Sequence, residues 1–264
     1  MRRLNFVCVA TAALLAGLAQ TASAADLPFK AAPAVAPAGY DWSGLYVGGH
    51  VGGGWSSNDF SDPALGIIGT LLGVPAVQTT NSSGFLGGIQ GGWNYQIGRL
   101  VVGTEADLSW ADINGTSSTS FAPLIAPGTS FNRSLTANTD WTGSATVRLG
   151  YARDHWMFYS KGGAAFAHTA YTDNWTATAG AVTVPFFAGT GAQTRVGWTL
   201  GTGVEWAFLN NWSAKLEYDY MDFGAKTVPI NGSVGPIPLS FSVVNSQAIS
   251  EVKLGLNYRF TTLP

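Results

Sequence analysis

Residues 85–97 read FLGGIQGGWNYQI. Large apolar side chains in this stretch alternate with glycine, asparagine and glutamine. Because successive side chains of a β-strand point to opposite faces, the alternation predicts a strand with one oily face and one small or polar face. A single such strand is more often half-buried in a soluble sandwich, so the fold depends on how often the pattern returns.

The pattern returns eight times, and the predicted strands are 44–55, 85–97, 100–112, 141–152, 156–169, 196–208, 212–220 and 251–260. Tight connections such as Gly98-Arg99 alternate with long segments at 56–84, 113–139, 170–195 and 224–245. The Ser, Thr, Asn and Pro content of the long segments predicts loops. An even number of strands with short turns on one side is typical of outer-membrane proteins. The sequence therefore predicts an all-β fold, an eight-stranded antiparallel transmembrane β-barrel with tight periplasmic turns and four long extracellular loops.

The first residues have the pattern of an export signal. An apolar stretch follows Arg2 and Arg3, and Ala22-Ser23-Ala24 is a small-x-small motif of the kind that signal peptidase accepts, with cleavage after Ala24 or Ala25. We therefore expect a signal peptide at 1–24, an Ala/Pro-rich periplasmic linker at 25–43, the barrel at 44–260 and a C-terminal tail at 261–264.

Composition excludes several classes of protein. Charged residues make up 11% of the chain, against about a quarter in a typical soluble domain. Without Arg2 and Arg3, 11 basic residues face 15 acidic ones, a formal charge of −4 that argues against nucleic-acid binding. The single cysteine, Cys8, lies in the predicted signal peptide, so the exported chain is expected to lack disulfides and thiol chemistry.

The predicted strand phases place charged side chains inside the barrel. The inward set consists of Glu105, Asp107, Arg148, Lys161, Glu205, Lys215, Glu217, Asp219, Glu251, Lys253 and Arg259. An eight-stranded barrel is only wide enough to be filled by side chains, and buried ions must be paired. Two interpretations remain open: a salt-bridge network that plugs the lumen, or a charged constriction that passes small ions.

Trp and Tyr collect near the ends of the predicted strands. The set consists of Trp55, Trp93, Tyr95, Trp110, Trp141, Tyr151, Trp156, Trp206 and Trp212. Amphipathic rings at strand ends are typical of the aromatic girdles that sit at membrane interfaces. We therefore expect outer-membrane lipids and lipopolysaccharide around the part of the barrel that these rings border.

No constellation of residues predicts catalysis, a metal site or a bound cofactor. The three histidines, His50, His155 and His168, are far apart in the pattern, and none has a serine and a carboxylate placed beside it. His168 falls at the outer end of the fifth predicted strand and is the one candidate haem ligand near the loops.

The long segments carry scattered aromatic residues: Phe60, Phe121, Phe131, Tyr171, Trp175, Phe186 and Phe187. Loops on a rigid scaffold are common binding sites, so these rings are candidates for ligand contacts. The alternative is that they only pack the loops against one another.

Several motifs resemble one known family. They are Ala25-Asp26-Leu27-Pro28, DWSGLYVGG at 41–49, YSKGGAA at 159–165, GWTLGTGVE at 197–205, LEYDY at 216–220 and LGLNYRF at 254–260. Together they resemble the small porin-family outer-membrane proteins and surface antigens of alphaproteobacteria. The resemblance implies an OmpA-like barrel, inserted by the barrel assembly machinery and monomeric or weakly oligomeric. It assigns no catalytic residues, and some relatives bind haem or host surfaces. Relatives commonly end on the last aromatic residue, whereas 261–264 follow Phe260 here.

Three hypotheses follow. The leading one is a structural barrel with a closed lumen and exposed loops. The second is a small-diameter porin for ions or small solutes, and the third is a haem or host-surface receptor that acts through its loops.

Overall fold

The computed structural model describes residues 39–61, 73–74, 77–123 and 126–260. The predicted signal peptide, residues 25–38 of the predicted linker and the predicted tail lie outside the described residues. The described chain forms eight strands: β1 (Gly44–Ser61), β2 (Val77–Ile97), β3 (Leu100–Phe121), β4 (Thr129–Arg153), β5 (Trp156–Ala179), β6 (Val182–Ala207), β7 (Trp212–Val234) and β8 (Ile237–Arg259).

The strands close into one ring. Each strand is antiparallel to its neighbour in sequence, and β1 also pairs with β8, so that Val47 faces Gly91 on one side and Tyr258 on the other. Closure gives every strand a partner on both sides over at least part of its length. The prediction of an eight-stranded antiparallel barrel is confirmed. Among the residues that the structure describes, no helix is long and apolar enough to cross a membrane.

The two ends of the barrel differ. We name as the near end the one where β1 begins and β8 finishes; the opposite end is the far end. The near-end turns are 98–99, 154–155 and 208–211. Gly98 has a φ of 63°, and Asp154, a non-glycine residue, also has a positive φ, 55°. Such angles are the ones that tight hairpin turns require.

The far-end segments correct one prediction. Strands β1 to β8 contain 18 to 26 residues, and most of the residues that we expected in loops belong to them. The far-end connections are 62–76, 122–128, 180–181 and 235–236. The predicted loop boundaries therefore need correction: in the described residues, most of 113–139, 170–195 and 224–245 belongs to paired strands that form long hairpins. The physical reason is that their threonines are β-branched and keep a two-residue alternation, which suits a paired strand.

An apolar band surrounds the near half of the barrel. On β3 the outward residues from Leu100 to Trp110 are apolar apart from Thr104, and those beyond Trp110 are Asp112, Asn114, Thr116, Ser118 and Ser120. The apolar stretch is eleven residues long, about what a tilted strand needs to cross a membrane. The remaining half of each strand extends past the band.

In the near half, the described side chains face the sides that the predicted strand phases gave them, and bulges change the phase farther out. In β4, Thr142 and Arg148 point into the lumen, as do Leu135 and Thr139 on the other side of a register shift at 140. One extra residue in a strand moves the inward face from even to odd positions. Because of the bulge, Leu135 and Thr139 face the lumen in the far half of β4.

Candidate functional site

The lumen is filled by side chains in successive layers. The inward residues of β8 sample these layers from the near end to the far end: Lys253 and Glu251, then Ile249, then Gln247 and Asn245, then Val243. A charged layer is followed by an apolar layer, a polar layer and a second apolar layer. An eight-stranded barrel is narrow enough to be filled in this way.

The charged layer contains ten of the eleven predicted lumenal charges. They are Glu105, Asp107, Arg148, Lys161, Glu205, Lys215, Glu217, Asp219, Glu251 and Lys253. None of these side chains is more than 4% exposed. Every one has an opposite charge within 4 Å, so the ten form one continuous network.

Glu105 on β3 is the hub of this layer. Its carboxylate accepts a hydrogen bond from the Tyr46 hydroxyl at 2.8 Å. The three cations around it are Arg148 at 3.2 Å, Lys161 at 3.2 Å and Lys215 at 3.1 Å. Strands β1, β3, β4, β5 and β7 therefore meet at a single carboxylate.

Lys161 on β5 links the two sides of the layer. Its Nζ lies 2.8 Å from Glu217, 3.3 Å from Asp219, 3.2 Å from Glu105 and 3.7 Å from Asp107. A lysine has three donors on a compact charge, so it can serve several carboxylates at once. Its position between four acids accounts for its complete burial.

The remaining ion pairs extend the network to β6 and β8. Arg148 donates to Glu205 at 2.8 Å. The Lys253 Nζ lies 3.0 Å from Asp107 and 3.0 Å from Glu251. With these pairs the network reaches every strand except β1 and β2, which contribute neutral side chains.

Acids outnumber bases in the charged layer, six to four, and neutral donors supply further hydrogen bonds. The donors are Tyr159 to Glu217 at 2.6 Å, Thr142 to Glu251 at 2.7 Å, Asn257 to Glu205 at 2.7 Å, Ser213 to Glu205 at 2.5 Å and Ser144 to Asp107. Buried ions are tolerated only when hydrogen bonds satisfy their remaining lone pairs. The sequence pattern did not single out these partners, because hydroxyl and amide residues are common on any inward face.

Arg259, the eleventh predicted lumenal charge, lies outside the network. Its guanidinium stacks 4.6 Å from the centre of the Tyr40 ring and donates to the Ser43 carbonyl at 2.9 Å. Burial raises the pKa of Tyr40 above its usual value. Arg259 is the last residue of β8, so it lies below the charged layer, at the near end of the barrel. Its contacts are therefore with Tyr40 and Ser43 and not with the buried acids.

An apolar near layer lies beneath the charged layer. It consists of Trp42, Val101, Ala152, Met157, Tyr159 and Ala207, with Tyr40 packed against it. Trp42 is 2% exposed, and its backbone N–H donates to the Gln96 side chain at 2.8 Å. Both Tyr40 and Trp42 belong to the segment that we expected to be linker, yet they cover the near end of the lumen.

Two apolar layers lie above the charged layer. The middle layer consists of Leu86, Ile113, Ala165, Ala167, Met221, Phe223 and Ile249. The far cap consists of Phe60, Leu135, Ala137, Tyr171, Phe187, Val228, Ile230 and Val243, with Trp175, Val234 and Phe241 packed against it. Both layers lie inside the barrel, although every residue of the far cap falls in a segment that the sequence predicted to be a loop.

The aromatic residues of the predicted loops pack against one another. Phe60 meets Tyr171 with ring centres 5.5 Å apart, and Phe187 lies 6.4 Å from Trp175. Phe121 and Phe186 each contact the Phe131 ring, at 5.7 Å and 5.0 Å. Of the two interpretations of these rings, the geometry favours mutual packing.

A buried ion pair in the far half escaped the sequence analysis. Arg133 and Asp173 form a bidentate pair, with the Arg133 Nη2 2.5 Å from the carboxylate. Trp175 donates to the same carboxylate at 2.8 Å. These residues lie in segments predicted to be loops. Following the alternation from Arg133 to Thr139 would have identified the inward face.

The histidines are dispersed. His50 lies in the lumen between Gln90, at 2.6 Å, and Ser109, at 2.8 Å. His168 stacks on the outward Trp141 ring at 6.3 Å and contacts Thr194. Because β5 continues to Ala179, His168 is not at a strand end, which corrects the prediction behind the haem hypothesis. Within the described residues, no group of His, Cys, Asp or Glu has the geometry to hold a metal ion.

The predicted girdle residues occupy two levels on the outer wall. The first level is close to the near end and consists of Trp93, Tyr95, Tyr151, Trp156, Trp206 and Trp212. The second level is at the opposite limit of the apolar band and consists of Trp55, Trp110 and Trp141. Rings from adjacent strands stack, as for Trp156 and Trp206 at 5.7 Å. All are exposed except Trp141, which is half-buried.

Comparison with known proteins agrees with this architecture. The family model described as "Outer membrane protein beta-barrel domain" matches residues 10–260. The 31 kDa outer-membrane immunogenic protein of Brucella melitensis is 31% identical, over 96% of this chain and 99% of that protein. The 22 kDa outer membrane protein of Rhizobium leguminosarum is 26% identical, over 86% of this chain and 81% of that protein.

Among solved structures, Neisserial surface protein A is similar, with a TM-score of 0.35 and 16% identity over 83% of this chain and 98% of that chain.

Proposed function

This chain belongs to the outer-membrane β-barrel protein family and is an outer-membrane surface protein, and we propose that it acts as a structural barrel whose lumen is closed. The observation that carries the proposal is the buried charged layer around Glu105. It spans the lumen, and each of its ions has an oppositely charged side chain within 4 Å. Such a layer joins opposite walls of the barrel and leaves little room for a permeating ion.

Two apolar barriers support closure. Trp42 and Met157 cover the near end of the lumen, and Phe187 and Tyr171 fill the far end. A conducting pore needs a continuous path of water, and an apolar constriction excludes water from such a path. Closure therefore does not depend on the charged layer alone.

We propose the lipids of the outer membrane, including lipopolysaccharide, as the partners of the apolar band. Residues such as Val51, Phe85 and Leu254 are exposed there, and the band is limited by rings of Trp and Tyr. Large exposed apolar surface is favourable only where it meets lipid or another protein. The barrel assembly machinery would insert such a chain, and the closed strand ring suits a monomer or weak oligomer.

Single-channel recording tests closure. The protein is refolded into a planar bilayer, and insertion is checked by resistance of the barrel to protease. We expect no reproducible openings from inserted wild-type protein. Discrete openings with a constant conductance would contradict the closed lumen.

A narrow pore is the second candidate, and the excess of acids in the charged layer is the observation that favours it. Six carboxylates and four cations would give a conducting lumen a preference for cations. If openings occur, Lys161→Ala should increase cation selectivity and Glu205→Ala should decrease it. Thr104→Ala, on the outward face of β3, serves as the control that should leave selectivity unchanged.

Surface presentation is the second part of the proposal. The far-end hairpins extend beyond the apolar band, and their tips at 180–181 and 235–236 are exposed. An epitope tag inserted at 180–181 should bind antibody on intact cells, whereas the same tag at the near-end turn 98–99 should bind only after lysis. The reverse result would overturn the proposed orientation. No enzymatic role is proposed, and haem binding loses its geometric support because His168 is remote from these tips.

A further inference from the structure

Arg195 on β6 is a buried cation in the far half of the lumen. It is 2% exposed, and its Nη1 donates to the Asn245 carbonyl at 3.1 Å. Its Nε and Nη2 have no hydrogen-bond partner. No carboxylate of the described residues pairs with it, whereas Arg133, Arg148 and the three buried lysines all have ion pairs. The Tyr171 ring, 6.0 Å away, provides only a weak cation–π contact.

The polar atoms around Arg195 are also incompletely bonded. Thr80 Oγ1, Asn245 Oδ1 and Gln247 Oε1 are buried and have no partner. These residues, with Asn58, Thr139 and Thr169, form the upper polar layer between the middle apolar layer and the far cap. Buried polar atoms in native proteins nearly always have a partner, and where several lack one together a water or an ion is the usual explanation.

The charge of Arg195 decides between water and an ion. Burial of a cation without a counter-ion is strongly unfavourable, and hydrogen bonds to neutral groups offset only part of that cost. The upper polar layer has no acid among its described residues. A bound anion would supply both the missing charge and acceptors for Nε and Nη2.

The two unpartnered carboxamide oxygens fit the same explanation. An amide rotated by 180° exchanges its oxygen for its NH2 group. After rotation, the Asn245 oxygen can accept from the Tyr171 hydroxyl, which lies 3.0 Å from the nitrogen before rotation, and the Gln247 oxygen can accept from Thr169. The Asn245 nitrogen also donates to Asn58 Oδ1 at 3.2 Å before rotation, so the Asn58 amide has to rotate with it and donate to the Asn245 oxygen. Both NH2 groups then take the positions of the unpartnered oxygens and become free donors in the upper polar layer, where the Arg195 guanidinium already contacts the Asn245 backbone.

The barrel wall next to Arg195 is irregular. Strands β6 and β7 are paired up to Thr190 and Asn231, and again from Trp198 and Asp222, with no paired residues between these points. This is the longest interruption of pairing in the described barrel. Arg195 lies within it, so the backbone beside the guanidinium is not held by regular pairing between β6 and β7.

We propose that the upper polar layer is a binding site for one small inorganic anion of halide size, held by the Arg195 guanidinium and by the side-chain amides of Asn245 and Gln247. The narrow lumen between two apolar layers excludes an organic anion. The site lies above the charged layer, and its occupancy does not require that the lumen conducts.

Bromide provides a direct test on the wild-type protein. Crystals of the refolded barrel grown in sodium bromide are measured at the bromine absorption edge. We expect an anomalous peak within about 3.5 Å of the Arg195 guanidinium nitrogens. A well-ordered upper polar layer without such a peak would overturn the proposal and assign water to the unpartnered atoms.

Unfolding by urea in detergent micelles tests the same site in solution. Chloride replaces gluconate at constant ionic strength, from about 5 to about 500 mM. For one site on the folded state, the ratio of folded to unfolded protein should rise by up to about a hundredfold. Arg195→Met should abolish this dependence. Arg153→Met, the same substitution at an exposed near-end position, should keep it. Equal chloride dependence of wild type and Arg195→Met would contradict the proposal.

Discussion

The near and far halves of the lumen are filled in different ways, and their arginines make the difference clear. Arg148 in the near half contacts two carboxylates and the Tyr46 hydroxyl. Arg195 in the far half is equally buried but contacts one backbone carbonyl. One barrel geometry therefore accommodates both an ion-paired guanidinium and one without a counter-ion.

The contrast shows that the pairing of buried cations depends on which strands supply carboxylates at each level of the lumen. In the near half, carboxylates come from β3, β6, β7 and β8, so every cation meets an acid. In the far half, aromatic side chains occupy the equivalent positions, and Asp173 is committed to Arg133. Ion pairing joins the strands in one half, and apolar packing joins them in the other.

Removal of the hub carboxylate should have the largest effect. Glu105→Ala leaves Arg148, Lys161 and Lys215 without their shared acid. Loss of one partner from a buried ion pair costs about 3 to 5 kcal/mol, and we expect the upper end of this range in the free energy of unfolding. Urea unfolding in micelles measures it.

Two variants serve as controls for this prediction. Glu105→Gln keeps the shape and two hydrogen-bonding atoms, so it should lose less stability than Glu105→Ala. Thr104→Ala, the exposed neighbour on β3, should change stability by less than about 0.5 kcal/mol. A stability of Glu105→Ala close to that of wild type would mean that the charged layer does not hold the near half together.

Loss of a ring from the far cap should have the next largest effect. Phe187 is 4% exposed and contacts Trp175 and Phe241, so Phe187→Ala should cost about 3 to 4 kcal/mol. Hydrogen exchange should accelerate in the far-end hairpins before the near half. The adjacent Phe186 is 38% exposed, and Phe186→Ala should cost clearly less. Equal effects of the two variants would contradict the assignment of Phe187 to the lumen.

Alanine substitution of two neighbouring glycines on β1 should have the smallest effect on stability, and it compares an inward with an outward position. A methyl group on Gly48 would collide with the Asn257 side chain and the Leu256 carbonyl. On Gly49 it would point outward, with the Gly88 carbonyl 3.5 Å away. Gly48→Ala should therefore destabilise the barrel by about 1 to 3 kcal/mol, as overpacking does, and Gly49→Ala should be nearly neutral. Thermal unfolding of the two variants in micelles measures the difference, and equal losses would contradict the inward phase of Gly48.

Much of the near half could be predicted from sequence because its alternation is strong. Apolar residues such as Leu254 and Leu256 mark the outward face, and the charges of Glu251 and Lys253 mark the inward one. A one-residue error in phase would place charges in lipid, so the pattern tolerates little ambiguity. The inward direction of the ten charges follows from that constraint.

The far half was less predictable because many side chains on both faces of its strands are short and polar. Ser118 and Ser120 are outward residues of β3, but serine is equally common in turns. Pairing with β4 makes the segment a strand, and this pairing joins Ser118 to Ser134. The Arg133–Asp173 pair and the isolation of Arg195 depend on such pairings, which local sequence does not reveal.

By itself the sequence determined the number of strands, the near-half faces and the inward direction of the charges, since these depend on the period of two that any strand obeys. Only the tertiary structure decided which acid meets which base, that Trp42 covers the near end and that Arg195 lacks a counter-ion. These features depend on the register between strands and on the bulges at 140 and 222–225, which set the height of each side chain in the lumen. Contacts across the barrel join residues far apart in sequence, and no local pattern encodes that height.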